Sequence, residues 1–478
     1  MMVLPLLLLF WLVTLVKAQH MGGQKEDKKV DLQWTKCRRG AGGKPICKTM
    51  SSPLVIDFNW RWLHKKSGTF QNCYLGNKWI QDVCGVNDNT NRCTDACVGE
   101  GGVYDTEYGV RTDGDELTIR LVTQNGGNTN VGARLMMLDG TGSRYLQHML
   151  LDQEVTFDID VSTSTSAHMD ADGGAKAYKS AGASAGLGYA DGQCARDLKF
   201  INGKANNYQW VPSTTDRNAG VGHYGSCGSE VDVWEGNSAA NAFTLHPCRS
   251  PKQERCEGEE CGGTYSKKRF GKYCDANGCD LNTYRLGNQR FFGYGKGFEV
   301  DTKKEKLEKR AVYSHNPPVQ GGTLTEVRRI YRQNGKVIRN PTSKIPRIVG
   351  NSLTQEYCDQ TKKVFEESNY FNTFKGFEGM TEAMKNGMTL VFSFWDDHYA
   401  QGRWLDSIYS PHEQGQRVFR RPNAPGAVRG PCRASSGVPA ELEKKYPDAT
   451  FKISNIRIGD IGSTTDGARR RKTLAHRT

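Results

Sequence analysis

The residues best placed for chemistry lie in Glu230-Val231-Asp232-Val233-Trp234-Glu235. Three carboxylates fall at i, i+2 and i+5, and the residues between them are β-branched or aromatic, a composition that favours a strand. Side chains alternate faces along a strand, so Glu230 and Asp232 share one face while Glu235, at odd spacing, points to the other. One extra residue in a β-bulge between Asp232 and Glu235 would bring all three to one surface. Two carboxylates facing one bond suit glycoside hydrolysis, one protonated as acid and one ionised as nucleophile or base. Without the bulge, the segment is an edge strand carrying charge for solubility.

Other candidates surround it. His246, in Thr244-Leu245-His246-Pro247-Cys248, follows closely and either tunes a carboxylate or serves as a structural hydrogen-bonder. Trp60 and Trp62 alternate within Ile56–Trp62 and on a strand would share a face. With Trp395 and Trp404 they offer indole faces on which sugar rings stack, or they are ordinary core. Asp396-Asp397 follows Trp395 and could bond sugar hydroxyls, hold a cation or simply be solvated. HExxH, a nucleotide-binding glycine loop and Gly-x-Ser-x-Gly are all absent, so metalloprotease, nucleotide and lipase chemistry lack support.

The elements that must carry these residues read as strands. Leu117, Ile119 and Leu121 alternate with polar residues, as do Val155, Phe157, Ile159 and Val161, then Leu390, Phe392 and Phe394. Phe451 and Ile453 alternate, with a phase slip to Ile456 and Ile458. Asn-Gly or Asp-Gly pairs at Asn125, Asp139, Asn202, Asn277 and Asn334 mark turns, the last joining Arg328–Gln333 to Lys336–Arg339 as a hairpin. Helical periodicity is scarce, with Glu378–Lys385 and Ala440–Lys445 the best short candidates. With no internal repeat and no Pro/Ser/Thr-rich linker, the 478 residues are most economically one large antiparallel sandwich with a cleft on one face.

Residues 1–18 read as a secretory signal, an apolar run from Val3 to Val16 ahead of Lys17-Ala18, too short for a comfortable membrane span. Fifteen cysteines spread along the chain fit an oxidising compartment and a disulfide framework; without paired CxxC spacings, a zinc site is not expected. The net charge of +13 raises nucleic acid as a partner. Lys and Arg are scattered rather than striped with aromatics, so a basic secreted protein that tolerates anionic polysaccharide is the better reading. The one tight basic cluster, Arg469–Lys472, lies in a C-terminal tail expected to be disordered.

Gly225–Glu235 with the downstream His-Pro-Cys resembles the active-site signature of glycoside hydrolase family 7, the cellobiohydrolases and endoglucanases. Val55–Asp57 with Asn59–Trp62, Asn130–Leu135, Asp197–Gly203, Tyr284–Asn288, Trp395–Asp397 and Gly426–Gly430 resemble family segments in the same order, from about Leu32 to Ser463. The resemblance implies an all-β, curved β-sandwich of concanavalin-like jelly-roll type, with long loops over a glycan cleft or tunnel. By motif Glu230 corresponds to the nucleophile and Glu235 to the acid/base, with Asp232 between them, a retaining pair about 5–5.5 Å apart. Trp60, Trp62, Trp395 and Trp404 match sugar-stacking positions, and Arg134, Tyr189, Asp191, His246, Arg285, Asp397 and Arg429 match positions around the cleft. Gly262–Phe270, with Tyr265, resembles a loop that roofs the product side in cellobiohydrolases, and Trp210–Tyr224 has the length of a second roof.

The implied division is a signal at 1–18, a catalytic domain at 19–463 and a basic tail at 464–478. The implied bridges are Cys37–Cys47, Cys73–Cys97, Cys84–Cys93, Cys194–Cys227, Cys248–Cys274, Cys256–Cys261 and Cys279–Cys358, with Cys432 left over. Relative to the family, the stretch from Asp160 to Met169 is shorter by about one strand. The expected activity is that of a secreted, retaining, processive cellobiohydrolase that cleaves β-1,4-glucosidic bonds in cellulose or cello-oligosaccharide chains and releases cellobiose, acting as a monomer without cofactor or metal and without nucleic-acid or membrane partners. The alternatives are an endoglucanase of the same family, or a non-catalytic glycan binder if the shortened stretch disables the cleft.

Overall fold

The structure is a computed structural model that describes residues 19–160, 163–303, 307–315, 322–409 and 425–465. The expected signal and the Arg469–Lys472 cluster lie outside the described residues. No helix among these residues is long and apolar enough to cross a membrane.

Thirteen strands form the spine of a 16-stranded sheet. They are β1 (Val30–Arg39), β2 (Pro45–Ile56), β3 (Ala133–Met137), β4 (Gln153–Asp160), β5 (Thr163–Ala167), β6 (Glu230–Gly236) and β7 (Asn241–His246). The remainder are β8 (Cys279–Leu281), β9 (Leu307–His315), β10 (Leu324–Gln333), β11 (Lys336–Arg339), β12 (Met388–Phe394) and β13 (Thr450–Asp460). Their order is β8-β7-β6-β5-β12-β3-β2-β1-β13-β4-β9-β10-β11. The pairings are antiparallel, as expected, except β1 with β13, where Thr35–Cys37 run parallel to Arg457–Gly459.

The chain of strands closes on itself face to face. Val231, Val233, Phe243 and Leu245 of β6 and β7 and Val327, Tyr331, Phe157 and Ile453 of β10, β4 and β13 belong to one buried core. Polar ties cross that core: the Tyr331 hydroxyl donates to Asn241 Oδ1 at 2.9 Å, and the Arg329 guanidinium lies 4.6 Å from the Phe243 ring centre. Burying polar groups this deeply is tolerable only because they find partners.

The shortened stretch leaves the sheet ladder unbroken. β5 pairs with β6 on one side and β12 on the other, so the strand whose loss was expected to break the ladder is present.

Two sequence signals have direct structural counterparts. Asn334 and Gly335 both take positive φ (52° and 77°) between Gln333 and its partner Lys336, the conformation a tight two-residue hairpin requires. The phase slip near Ile456 is a bulge: three steps along β13, Arg457 to Ser454, oppose two along β4, Thr156 to Asp158. Helices Gly376–Asn386 and Pro439–Lys445 cover the expected segments. A third helix, Gln355–Val364, lies outside the expected segments; Thr354 caps it by accepting from Tyr357 N.

Seven disulfides join Cys37–Cys47, Cys73–Cys97, Cys84–Cys93, Cys194–Cys227, Cys248–Cys274, Cys256–Cys261 and Cys279–Cys358. Cys432 is free and half-buried.

Candidate active site

The site begins with the register of β6 against β7. Glu230 faces His246 and Asp232 faces Thr244, but the next paired residue is Glu235, opposite Ala242. Three steps on β6 therefore oppose two on β7, which is the bulge that the spacing of the acids requires. The residues that absorb it, Val233 and Trp234, are both buried in the core, so neither occupies the acidic face. Glu230, Asp232 and Glu235 thus line one surface, and Asp280 of β8 extends the row through Thr244.

Each acid has a distinct environment. Glu230 accepts from Gly192 N at 3.0 Å, and Asp232 accepts from His246 Nε2 at 3.0 Å. The other His246 nitrogen, Nδ1, donates to the Asp275 carbonyl at 2.8 Å. Burial alone would lower the pKa of His246, but the Asp232 hydrogen bond and the nearby charges outweigh it and lift it to about 9. His246 is therefore an imidazolium at neutral pH, with both ring N–H groups engaged.

Glu230 and Glu235 are both pushed well above the ordinary carboxylate range, by burial first and then by Asp232. They differ in what opposes that push. Glu230 has the His246 cation and the Gly192 N–H, with the Asp191 charge adding to its upward shift; Glu235 has only a hydrogen bond from Thr244, with the Asp280 charge adding to its own. The cation beside Glu230 favours its ionised form, an asymmetry that suits Glu230 as nucleophile and Glu235 as acid.

Sugar-facing candidates divide into a rim and a floor. The Trp60/Trp62 expectation needs correcting, because β2 stops at Ile56. Asp57 Oδ1 accepts from Asn59 N at 2.8 Å and closes a 3₁₀ turn over Phe58–Trp60, so the two indoles do not share a strand face. Trp60 is half-buried and donates to the Val131 carbonyl; Trp62 is exposed and donates to Asn72 Oδ1 at 2.6 Å. Trp395 is exposed. Trp404 is half-buried and donates from Nε1 to Asp397 Oδ2 at 3.0 Å. Asp397 also accepts from Tyr399, Ala400 and Gly402 backbone N–H groups, so its carboxylate organises its own loop and orients the Trp404 indole.

On the floor, Arg134 Nε donates to Asp57 Oδ2 at 2.9 Å and its guanidinium lies 3.5 Å over the Tyr189 ring. Asp191 is buried and accepts from the Gln193 and Ala195 backbones. Arg285 is enclosed by Asp280, Glu367 and the Gly426 carbonyl, with Phe365 against its face. Arg429 points at the same two acids from farther off, 3.4 Å and 3.8 Å. Two buried donors, Arg134 Nη2 and Arg429 Nε, have no protein partner among the described residues.

Sequence reasoning missed several members. Asp280 touches the acid/base candidate electrostatically and anchors Arg285, yet nothing in Cys279-Asp280-Leu281 marks it before its strand is placed. Asp197 and Lys199 lie within Asp197–Gly203, a segment that resembles the family but in which nothing marks these two individually. Burial lifts Asp197 to about 6 with help from Asp191 and Asp57, and lowers Lys199 to about 8.

Loops from both flanks meet above this surface. The segment after β12 carries Tyr399, whose ring lies 5.1 Å from that of Tyr265 in an edge-to-face contact. Tyr265 belongs to a loop held down at Gly263, where φ is 71° and a Cβ would fall 2.0 Å from the Gln193 carbonyl oxygen. Arg269 fastens the same loop through Ala276 and Gln193. A second loop, between Val211 and Val221, reaches the Tyr399 segment through Thr215, whose hydroxyl donates to the His398 carbonyl at 3.2 Å.

A β-sandwich that gathers acids on one buried face, beneath loops closing from both sides, is a polysaccharide-cleaving architecture of the glycoside hydrolase class. Residues 21–465 match the family described as Glycosyl hydrolase family 7, and the chain belongs to that family. Among solved structures it is similar to a family 7 cellobiohydrolase from Daphnia pulex, at 38% identity and TM-score 0.87, covering 93% of this chain and 100% of that one. A cellobiohydrolase from Melanocarpus albomyces complexed with cellotetraose is 42% identical, TM-score 0.83, covering 94% and 100%. An endocellulase from Humicola insolens is more distant, 28% identical with TM-score 0.74, covering 93% and 100%.

Proposed function

We propose that this protein is a secreted, monomeric, retaining cellobiohydrolase that acts on cellulose chains. Glu230 attacks the anomeric carbon while Glu235 donates its proton to the leaving glycosidic oxygen. Glu235, now ionised, then takes a proton from water as that water releases the sugar from Glu230. Asp232, held by the His246 imidazolium, positions Glu230 and adds the charge that keeps Glu235 protonated in the resting enzyme. Arg134 Nη2 and Arg429 Nε, buried without protein partners, are the donors we assign to sugar hydroxyls, and the tryptophans supply stacking faces.

The observation that carries the exo-acting reading is the closed roof, the Tyr265–Tyr399 contact joining loops from the two flanks of the acidic strand. A polymer under such a roof is most easily threaded from an end, which favours short, uniform products. Similarity to two cellobiohydrolases at higher identity than to the endocellulase supports the same choice. The signal-like residues 1–18 and seven disulfides support export. The test is a product profile on amorphous cellulose: predominantly cellobiose with slow loss of viscosity is expected. A broad spread of oligosaccharides with rapid loss of viscosity would identify an endoglucanase instead. Binding without any reducing-sugar release would identify a non-catalytic relative.

A further inference from the structure

A second polar cluster lies outside the catalytic row, on the segment that forms one side of the roof. Asp396, His398 and Glu443 bring one ligand-capable atom each within 4.8 Å of one another. Asp396 and His398 sit on the loop after β12, and Glu443 on the helix Pro439–Lys445. The Asp396 side chain is only 6% exposed, and its Oδ2 is buried with no hydrogen-bond partner among the described residues. Its other oxygen is 3.4 Å from His398 Nε2, long for a hydrogen bond. A buried carboxylate oxygen without a donor is costly, and a cation is one way to satisfy it.

The imidazole is already oriented for such a role. His398 Nδ1 bonds the Thr215 carbonyl at 2.9 Å, which fixes the ring and leaves Nε2 turned to the two acids. A histidine that anchors one nitrogen on a carbonyl and offers the other to an ion is the usual outer-sphere arrangement around metals. Glu443 is steadied by Arg217, which donates to Oε2 at 3.0 Å and leaves Oε1 for a further bond. One imidazole and two carboxylates suit zinc or a similar divalent transition metal; calcium and magnesium prefer oxygen alone.

We propose that Asp396, His398 and Glu443 form a binding site for a divalent transition-metal ion of the zinc type. The ion would take the place of the Nε2 proton and face the carboxylates of Asp396 and Glu443. It ties the Tyr399 loop to the Pro439–Lys445 helix and, through the Thr215 carbonyl, to the second roofing loop. The ion thereby stiffens the roof without touching the catalytic acids.

Calorimetric titration of the purified protein with zinc chloride at about pH 8 tests this. One saturable ion per chain is expected, weakened at least about tenfold by Glu443→Gln and by His398→Gln. His223→Gln serves as a control, because His223 and Glu257 form a separate pair 3.9 Å apart; it should leave that ion in place. Glu443→Gln, on a surface helix, gives a folded variant even if the loop changes loosen the protein. Absence of a saturable ion in the wild type, or full retention of it in both Glu443→Gln and His398→Gln, would overturn the site.

Discussion

Replacing His246 by Gln isolates the electrostatics on which the acids depend. The imidazolium is bonded to Asp232 at 3.0 Å and to the Asp275 carbonyl, and its pKa rises from 6.5 to about 9. That is roughly 2.5 factors of ten in proton affinity at ~1.4 kcal/mol each, or about 3 kcal/mol of pH-dependent stability. The sign follows from the direction of the shift. A folded-state pKa above the unfolded one gives stability that is complete below about 6.5 and lost as pH rises through about 9. Urea unfolding with disulfides intact should therefore find His246→Gln less stable than wild type by about 3 kcal/mol at pH 5.5. The difference should shrink as the pH approaches 10. Glutamine can keep hydrogen bonds to Asp232 and Asp275 but carries no charge, so the pH-dependent part belongs to the cation. A difference that stays constant across this range would refute the charge argument and leave His246 as a packing residue.

Other perturbations separate the remaining parts. Asp280→Asn removes a charge that helps keep Glu235 protonated, so the alkaline limb of the pH–rate profile should move to lower pH by about one unit; no shift would remove Asp280 from the account. Tyr399→Ala deletes the roof contact with Tyr265 and should raise the share of products longer than cellobiose, with the hydrolysis of short soluble substrates little changed. Unaltered product distribution would mean the roof is closed by other contacts. Arg134→Lys retains charge but loses the Nη2 donor, and should raise KM for cello-oligosaccharides by about tenfold, the order of one charge-assisted hydrogen bond. Removing the Cys279–Cys358 bridge, which spans 79 residues, should lower stability by about 4.5 kcal/mol. Removing Cys37–Cys47, which spans 10, should cost about 3 kcal/mol, both read from urea midpoints.

How far the sequence led depends on whether a feature is local. The bulge at Val233-Trp234 was legible because three acids can share a face only if one residue is inserted, and the core position of both bulge residues agrees with their apolar character. The second bulge was visible as the slip at Ile456, and the Asn334-Gly335 hairpin as a two-residue turn. Trp60 and Trp62 misled because alternation in Ile56–Trp62 looks like a strand, whereas a single Asp57 side chain captures the Asn59 N–H and turns the chain. Asp280 and the Tyr265–Tyr399 contact were beyond reach, since each depends on strands and loops far apart in sequence. The shortened stretch before Met169 looked like a lost strand, but β5 still fills its place between β6 and β12 because residues 163–167 suffice for both ladders.

Trapping the covalent intermediate tests the central assignment most directly. A 2-deoxy-2-fluoro-cellobioside with a good leaving group slows both steps, and slows the second enough to let the glycosyl-enzyme accumulate for peptide mass spectrometry. The account predicts one added disaccharide on the peptide carrying Glu230, with no label in Glu230→Gln. Label on Glu235, or full turnover of cellulose by a Glu230→Gln variant, would contradict it.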